Sequence, residues 1–150
     1  MKNIYCNIIN CVGRAHRVFL DLLKNELNNL RVLDINSVQC LLLYNIGNQQ
    51  ISISELISRG LYSGSNVSHN IKKLVQSGYA EQIPSKHDKR SVHVRLSEKG
   101  LSLYRDIDKC LEQHASKMEL FFQNKKAIES VYKGLQGVET FWSQNSLWLR

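Results

Sequence analysis

Proline is almost missing: Pro84 is the only one in 150 residues. Nothing of low complexity and no internal repeat interrupts the chain either, so little argues for linkers between domains. No apolar run approaches the roughly 20 residues that span a bilayer. The first twenty residues carry scattered polar and basic groups instead of a signal-peptide core and cleavage site. A soluble, cytoplasmic protein with no membrane partner is therefore expected. Cys6, Cys11, Cys40 and Cys110 form no Cys-x-x-Cys pair and are too sparse for a secreted disulfide scaffold, so they are expected to be reduced and mostly buried. A phosphate-cradling Gly-rich loop, a nucleophile elbow and a paired-carboxylate motif are all absent, which removes support for an enzyme. His16, His69, His87, His93 and His114 show no ligand spacing with a carboxylate or thiol, so neither a metal nor a cofactor is expected.

What is present is a globular composition, 43% hydrophobic and 22% charged, long enough for one core and read as a single domain over 1–150. The net charge of +7 is unevenly placed. Arg59 to Arg105 holds nine Lys and Arg against three acids, Glu81, Asp88 and Glu98, whereas the rest holds eleven against ten. A basic excess confined to one third of the chain suits a localised phosphate-binding surface.

Helical periodicity dominates. Ile4, Ile8, Val12, Ala15, Phe19, Leu22, Leu23, Leu27 and Leu30 make one apolar stripe over residues 3–29. So long a stripe needs a cover, which a second subunit can supply. Asn36 caps a second helix with Val38, Leu41, Leu42 and Ile46 inward and Gly47 as its stop. Ser52 and Glu55 have capping-box spacing for a short helix to about Arg59. A further helix over "SNVSHNIKKLVQSG" turns Val67, Ile71 and Leu74 inward. Beyond Gly78 the period drops to two: "YAEQIP" and "SVHVRL" read as a hairpin with Val92, Val94 and Leu96 on one side. Ser97 caps a long helix through Leu101, Tyr104, Ile107, Leu111, Ala115, Met118 and Phe122. The "NKK" stretch breaks it, and a last helix spans about 126–144.

This order is mainly α with a small β-hairpin wing. It describes a winged helix-turn-helix lobe at 34–100 between N- and C-terminal dimerisation helices at 1–33 and 101–150. With 67, 71 and 74 buried, the opposite face of the fourth helix presents Ser65, Asn66, Ser68, His69, Lys72, Lys73 and Gln76. Those side chains can read base edges or neutralise phosphates, and no acid occurs from Ser63 to Gly78. The hairpin tip adds Lys86, His87, Asp88, Lys89 and Arg90, suited to a narrow, negatively charged minor groove. A carboxylate two residues from a guanidinium can fix its direction before DNA arrives, or the two can form an ordinary surface ion pair.

"DKRSVHVRLSEKG" resembles the wing signature of the MarR (multiple-antibiotic-resistance regulator) family, an Asp-x-Arg, an alternating strand, then Leu-Thr-x-x-Gly, with Ser97 in place of Thr. "INSVQCLLL", with Gln39, is similar to that family's second helix, and "SNVSHNIKKLVQSGY" to its recognition helix. The resemblance covers essentially the whole chain. It implies a homodimeric regulator of transcription, usually a repressor, that binds double-stranded DNA and in which Asp88 orients Arg90; paired recognition helices in a dimer read half-sites about one helical turn apart, so a near-palindromic operator is expected. It also implies a small aromatic or amphipathic effector, for which Arg14, His16, Arg17 and Tyr44 are candidates. In the peroxide-sensing branch of the family a reactive cysteine lies on the first helix, where Cys6 stands, so thiol-based sensing is an alternative. A winged-helix protein-interaction module is the other.

Overall fold

The computed structural model describes residues 1–59, 62–84 and 92–145. Its elements follow in the order α1 (Lys2–Asn29), α2 (Ser37–Ile46), β1 (Ile51–Ser52), α3 (Ile53–Ser58), α4 (Gly64–Gln76), β2 (Ala80–Pro84), β3 (Val92–Leu96), α5 (Glu98–Phe122) and α6 (Lys125–Asn145). They form two compact units, Met1–Asp108 and Lys109–Arg150.

Side-chain caps set the helix starts. The Asn36 side chain accepts from the Gln39 amide at 2.9 Å, and Gln39 Oε1 accepts from the Asn36 amide at 3.0 Å, a complete capping box at α2. Ser52 Oγ accepts from the Glu55 amide at 3.0 Å and starts α3. Only half of the expected box forms there, because the Glu55 carboxylate turns to Arg59 at 3.4 Å. At the end of α4, Gly78 takes φ +77. The Gly78 and Tyr79 amides donate back to Val75 and Leu74, closing the helix with the left-handed residue that glycine tolerates best.

The core of the first unit gathers Leu23 and Leu27 from α1, Leu42, Leu43 and Ile46 from α2, Leu56 from α3, Val67, Ile71 and Leu74 from α4, Val94 and Leu96 from β3, and Leu103 and Ile107 from α5. On α2 the expected inward residues Val38 and Leu41 are only half-buried, while Gln39, Cys40 and Leu43 are buried. The helix packs against α1, α4 and β3 together, so a single inward stripe undercounts what it covers. Along the α1 stripe only Leu23 and Leu27 are buried; Ile8, Val12, Phe19 and Leu22 are half-buried, and Ile4, Ala15 and Leu30 are exposed. The cysteines depart from expectation too. Cys40 is buried, Cys110 half-buried, and Cys6 and Cys11 are exposed because they lie off the part-covered positions Ile8 and Val12 of α1.

The described strands form one antiparallel sheet, order β1-β3-β2. Residues Ala80–Pro84 pair with Val92–Leu96, and the two-residue β1, too short for any periodicity to reveal, pairs Ile51 with Val94. Val92, expected on the same side as Val94 and Leu96, is exposed where those two are buried, since β1 flanks only Val94 and His93.

The start of α5 locks onto the exit of α4. Ser97 Oγ accepts from the Gly100 amide at 3.1 Å, as an N-cap does, and donates to the Gly78 carbonyl at 2.6 Å. The Ser97 amide donates to the Tyr79 carbonyl at 3.0 Å. Gly100 packs so close to this carbonyl that a Cβ there would lie 2.0 Å from it. In the second unit α5 ends at Gln123, φ +51, and Asn124 Oδ1 accepts from the Lys126 amide to start α6. None of the described residues of that unit is buried. No described helix is long and apolar enough to cross a membrane.

Candidate nucleic-acid interface

Val67, Ile71 and Leu74, each at most 1% exposed, anchor α4. Their spacing leaves the far side open: Ser65, Asn66, His69, Lys72, Lys73 and Gln76 are exposed and Ser68 is half-buried. The first turn holds no acid, and the N-cap Ser63 makes no side-chain bond to the helix amides. Those amides and the lysines give the face a positive character suited to phosphate.

Two polar arrangements hold this helix. Beneath it, Gln39 Nε2 donates to Asn70 Oδ1 at 3.2 Å, and Asn70 Nδ2 donates to the Asn66 carbonyl at 2.9 Å. At its exit, Asp34 accepts from the Tyr79 hydroxyl at 2.8 Å and from Lys99 Nζ at 2.9 Å. Lys99 also donates to the Ser77 carbonyl at 2.9 Å and lies 3.9 Å over the Tyr79 ring. Burial raises the Asp34 carboxyl, but the hydrogen bonds from Lys99 and Tyr79 outweigh it and hold the group below its ordinary value. The bond to Asp34 lifts Lys99 above its own, and burial followed by Asp34 pushes the Tyr79 phenol up. These groups tie the loop before α2, the turn after α4 and the start of α5 into one corner. Neither pairing is visible in the sequence: Asp34 and Lys99 are 65 positions apart, and Gln39, although part of the family-like second helix, gives no sign of its partner Asn70, 31 positions on.

The hairpin-tip candidates Lys86, His87, Asp88, Lys89 and Arg90 lie outside the described residues. Nearer the sheet, Arg95 is committed to Glu81, its cross-strand partner, at 2.9 Å. Among the effector candidates, Arg14, His16 and Arg17 are exposed on α1, whereas Tyr44 is half-buried. The Tyr44 hydroxyl donates to Asp108 at 2.8 Å and its ring stacks on Tyr104 at 5.3 Å. Two clefts of about 380 and 470 Å³ flank Lys99, one walled by Leu30, Val32 and Leu103 and the other by Arg31, Leu33 and Asp34. None of the four candidates lines either cleft.

Residues 35–100 match the winged helix DNA-binding domain family. Over 138 residues the chain is 35% identical to the exopolysaccharide II synthesis transcriptional activator ExpG of Rhizobium meliloti (strain 1021), covering 92% of this chain and 71% of that protein. The chain belongs to the MarR family. Solved MarR-type structures share its fold. The transcriptional regulator SlyA matches with a TM-score of 0.80 at 18% identity, over 95% of this chain and 99% of that one. Streptococcus pneumoniae FabT, solved in complex with DNA, matches with a TM-score of 0.72 at 21% identity, over 93% and 98%. MarR-family proteins are transcriptional regulators, not enzymes.

Proposed function

We propose that this MarR-family chain is a sequence-specific, double-stranded DNA-binding regulator of transcription that acts as a homodimer. The observation that carries the reading is the exposed, acid-free face of α4, held outward by Val67, Ile71 and Leu74. In this reading α4 enters the major groove. Ser65, Asn66, Ser68 and His69 meet base edges there, and Lys72 and Lys73 meet phosphates. The loop with Lys86, His87, Asp88, Lys89 and Arg90 serves as the wing in the minor groove. Residues 34–100 act as the DNA-binding lobe, and 1–33 and 101–150 supply the dimerisation helices. Support for pairing comes from each unit separately: the first leaves Ile4, Ile9 and Val18 exposed, the second Leu120, Phe121, Val131 and Leu135. Apolar exposure on that scale is what a protein interface removes from water.

Repression, together with release or modulation by a small aromatic or amphipathic effector, completes the proposal on the strength of family membership. The Rhizobium relative is named an activator, so a promoter fusion measured with and without this protein decides the direction. Sedimentation with a near-palindromic duplex enriched by the protein itself tests the core of the reading. One dimer per duplex is expected; a monomer at micromolar concentration, alone and with the duplex, contradicts it. Exposure of Cys6 favours one second reading, thiol-based sensing. Sub-stoichiometric organic peroxide followed by mass spectrometry tests it, and an unmodified Cys6 removes it.

A further inference from the structure

Gln39 and Asn70 are the two buried polar side chains among the described residues, each 8% exposed. Cys40, Leu43, Val67, Ile71 and Leu74, their neighbours along α2 and α4, are all buried. Every polar atom of the pair is nonetheless used. Gln39 Oε1 takes the Asn36 amide, Gln39 Nε2 gives to Asn70 Oδ1, and Asn70 Nδ2 gives to the Asn66 carbonyl. The result is one chain of hydrogen bonds from the N-cap of α2, across the interface between helices, to the first turns of α4.

Such a chain is demanding in a way that apolar contacts are not. Leucine and isoleucine packing tolerates small rotations and slides of one helix on another. A buried amide pair does not, because a shift of one residue leaves donors and acceptors unpaired away from water. Buried polar pairs of this kind act as register pins in packed helices. The carbonyl at the end of this chain belongs to Asn66, whose own side chain is on the exposed face.

We propose that Gln39 and Asn70 are positioning residues: they fix the rotation and register of α4 so that Ser65, Asn66 and His69 present a single pattern to base edges. This rests on the DNA-binding reading above and goes beyond it, because it places sequence discrimination partly in two residues that touch no DNA. The pair contributes little to sequence-independent affinity, since Lys72 and Lys73 carry the phosphate contacts.

The test uses the full chain and the double variant Gln39→Leu, Asn70→Leu, which fills the same space without polar atoms. Wild type is first used to enrich a duplex from a randomised pool. Affinity for that duplex divided by affinity for a shuffled one is then measured for both proteins. The double variant is expected to keep its affinity for the shuffled duplex and its salt dependence, while the ratio falls about tenfold or more. An unchanged ratio overturns the inference and leaves DNA binding standing. Should circular dichroism show the double variant unfolded, the nearly isosteric Gln39→Met is measured in the same way. A lower ratio supports the inference and an unchanged one overturns it. A wild type that enriches no duplex brings down the DNA-binding reading itself, and the inference with it.

Discussion

Replacing Gly100 with alanine sets two effects of opposite sign against each other. Alanine is the better helix former by about 0.8–1 kcal/mol, and position 100 lies in the first turn of α5. By propensity alone Gly100→Ala stabilises. Against this, the new Cβ would lie 2.0 Å from the Tyr79 carbonyl oxygen, 3.0 Å from its carbon and 3.2 Å from the Leu96 Cβ. The first contact is with backbone, which cannot swing aside as a side-chain tip does. Tyr79 is itself held: it is 3% exposed, its carbonyl accepts from the Ser97 amide, and its hydroxyl donates to Asp34. Relieving the clash therefore moves α5 away from the α4 exit. Overpacking of this kind costs about 1–3 kcal/mol, here at its upper end, and the loosened Ser97 bond adds about 1 kcal/mol. After the propensity gain is subtracted, a net loss of about 3 kcal/mol remains, or roughly 6–12 °C in thermal midpoint for a chain of this size. Urea and thermal unfolding at one fixed protein concentration measure it, since association shifts apparent stability. A variant as stable as wild type, or more so, refutes the steric argument and leaves propensity in charge.

Other outcomes follow from the corner and the wing. Asp34, held below its ordinary 3.8, contributes stability that is present above that value and is lost as pH falls through the lowered one. Acid unfolding of Asp34→Asn should lack this component. If the two proteins lose stability in parallel as pH drops, the corner carries no such coupling. Lys99 and Tyr79 are raised above their ordinary 10.5 and 10.0, so their share persists below those values and is lost only in stronger alkali. Arg90→Ala should weaken DNA binding by about 1–3 kcal/mol with an unchanged thermal midpoint, and Asp88→Ala should do so more mildly. Tighter binding by Asp88→Ala contradicts an orienting role for the carboxylate.

Much of this architecture was legible because its signals are local. Asn36, Ser52 and Ser97 sit where a side-chain oxygen can reach the amide three residues on, and Gly47 and Gly78 follow their helices. The outward face of α4 was readable as the complement of Val67, Ile71 and Leu74. What stayed hidden depends on distant partners. Gln39 looks exposed until Asn70 is brought above it, and Lys99 looks like a solvated cation until Asp34 and Ser77 close around it. Ser97 declared itself as a cap and Gly100 as the end of the Leu-Thr-x-x-Gly pattern, but the physical need for glycine appears only when the Tyr79 carbonyl lies against it. Arg31 and Gln123 adopt φ of +57 and +51 without the glycine or asparagine that would have advertised a left-handed turn. Cys6 and Cys11 were misjudged because thiol burial was inferred from residue type, whereas both lie off the part-covered positions Ile8 and Val12 of α1.

Whether α4 meets a polyanion is the claim on which the rest depends, and salt tests it most directly. Anisotropy of a labelled duplex, titrated across ionic strength, should give log affinity falling against log salt with a slope of about −4 or steeper. Replacing Lys72 and Lys73 with alanine should make that slope shallower by about one for each phosphate no longer neutralised. Binding that ignores salt, or a slope that the two substitutions leave unchanged, contradicts the account.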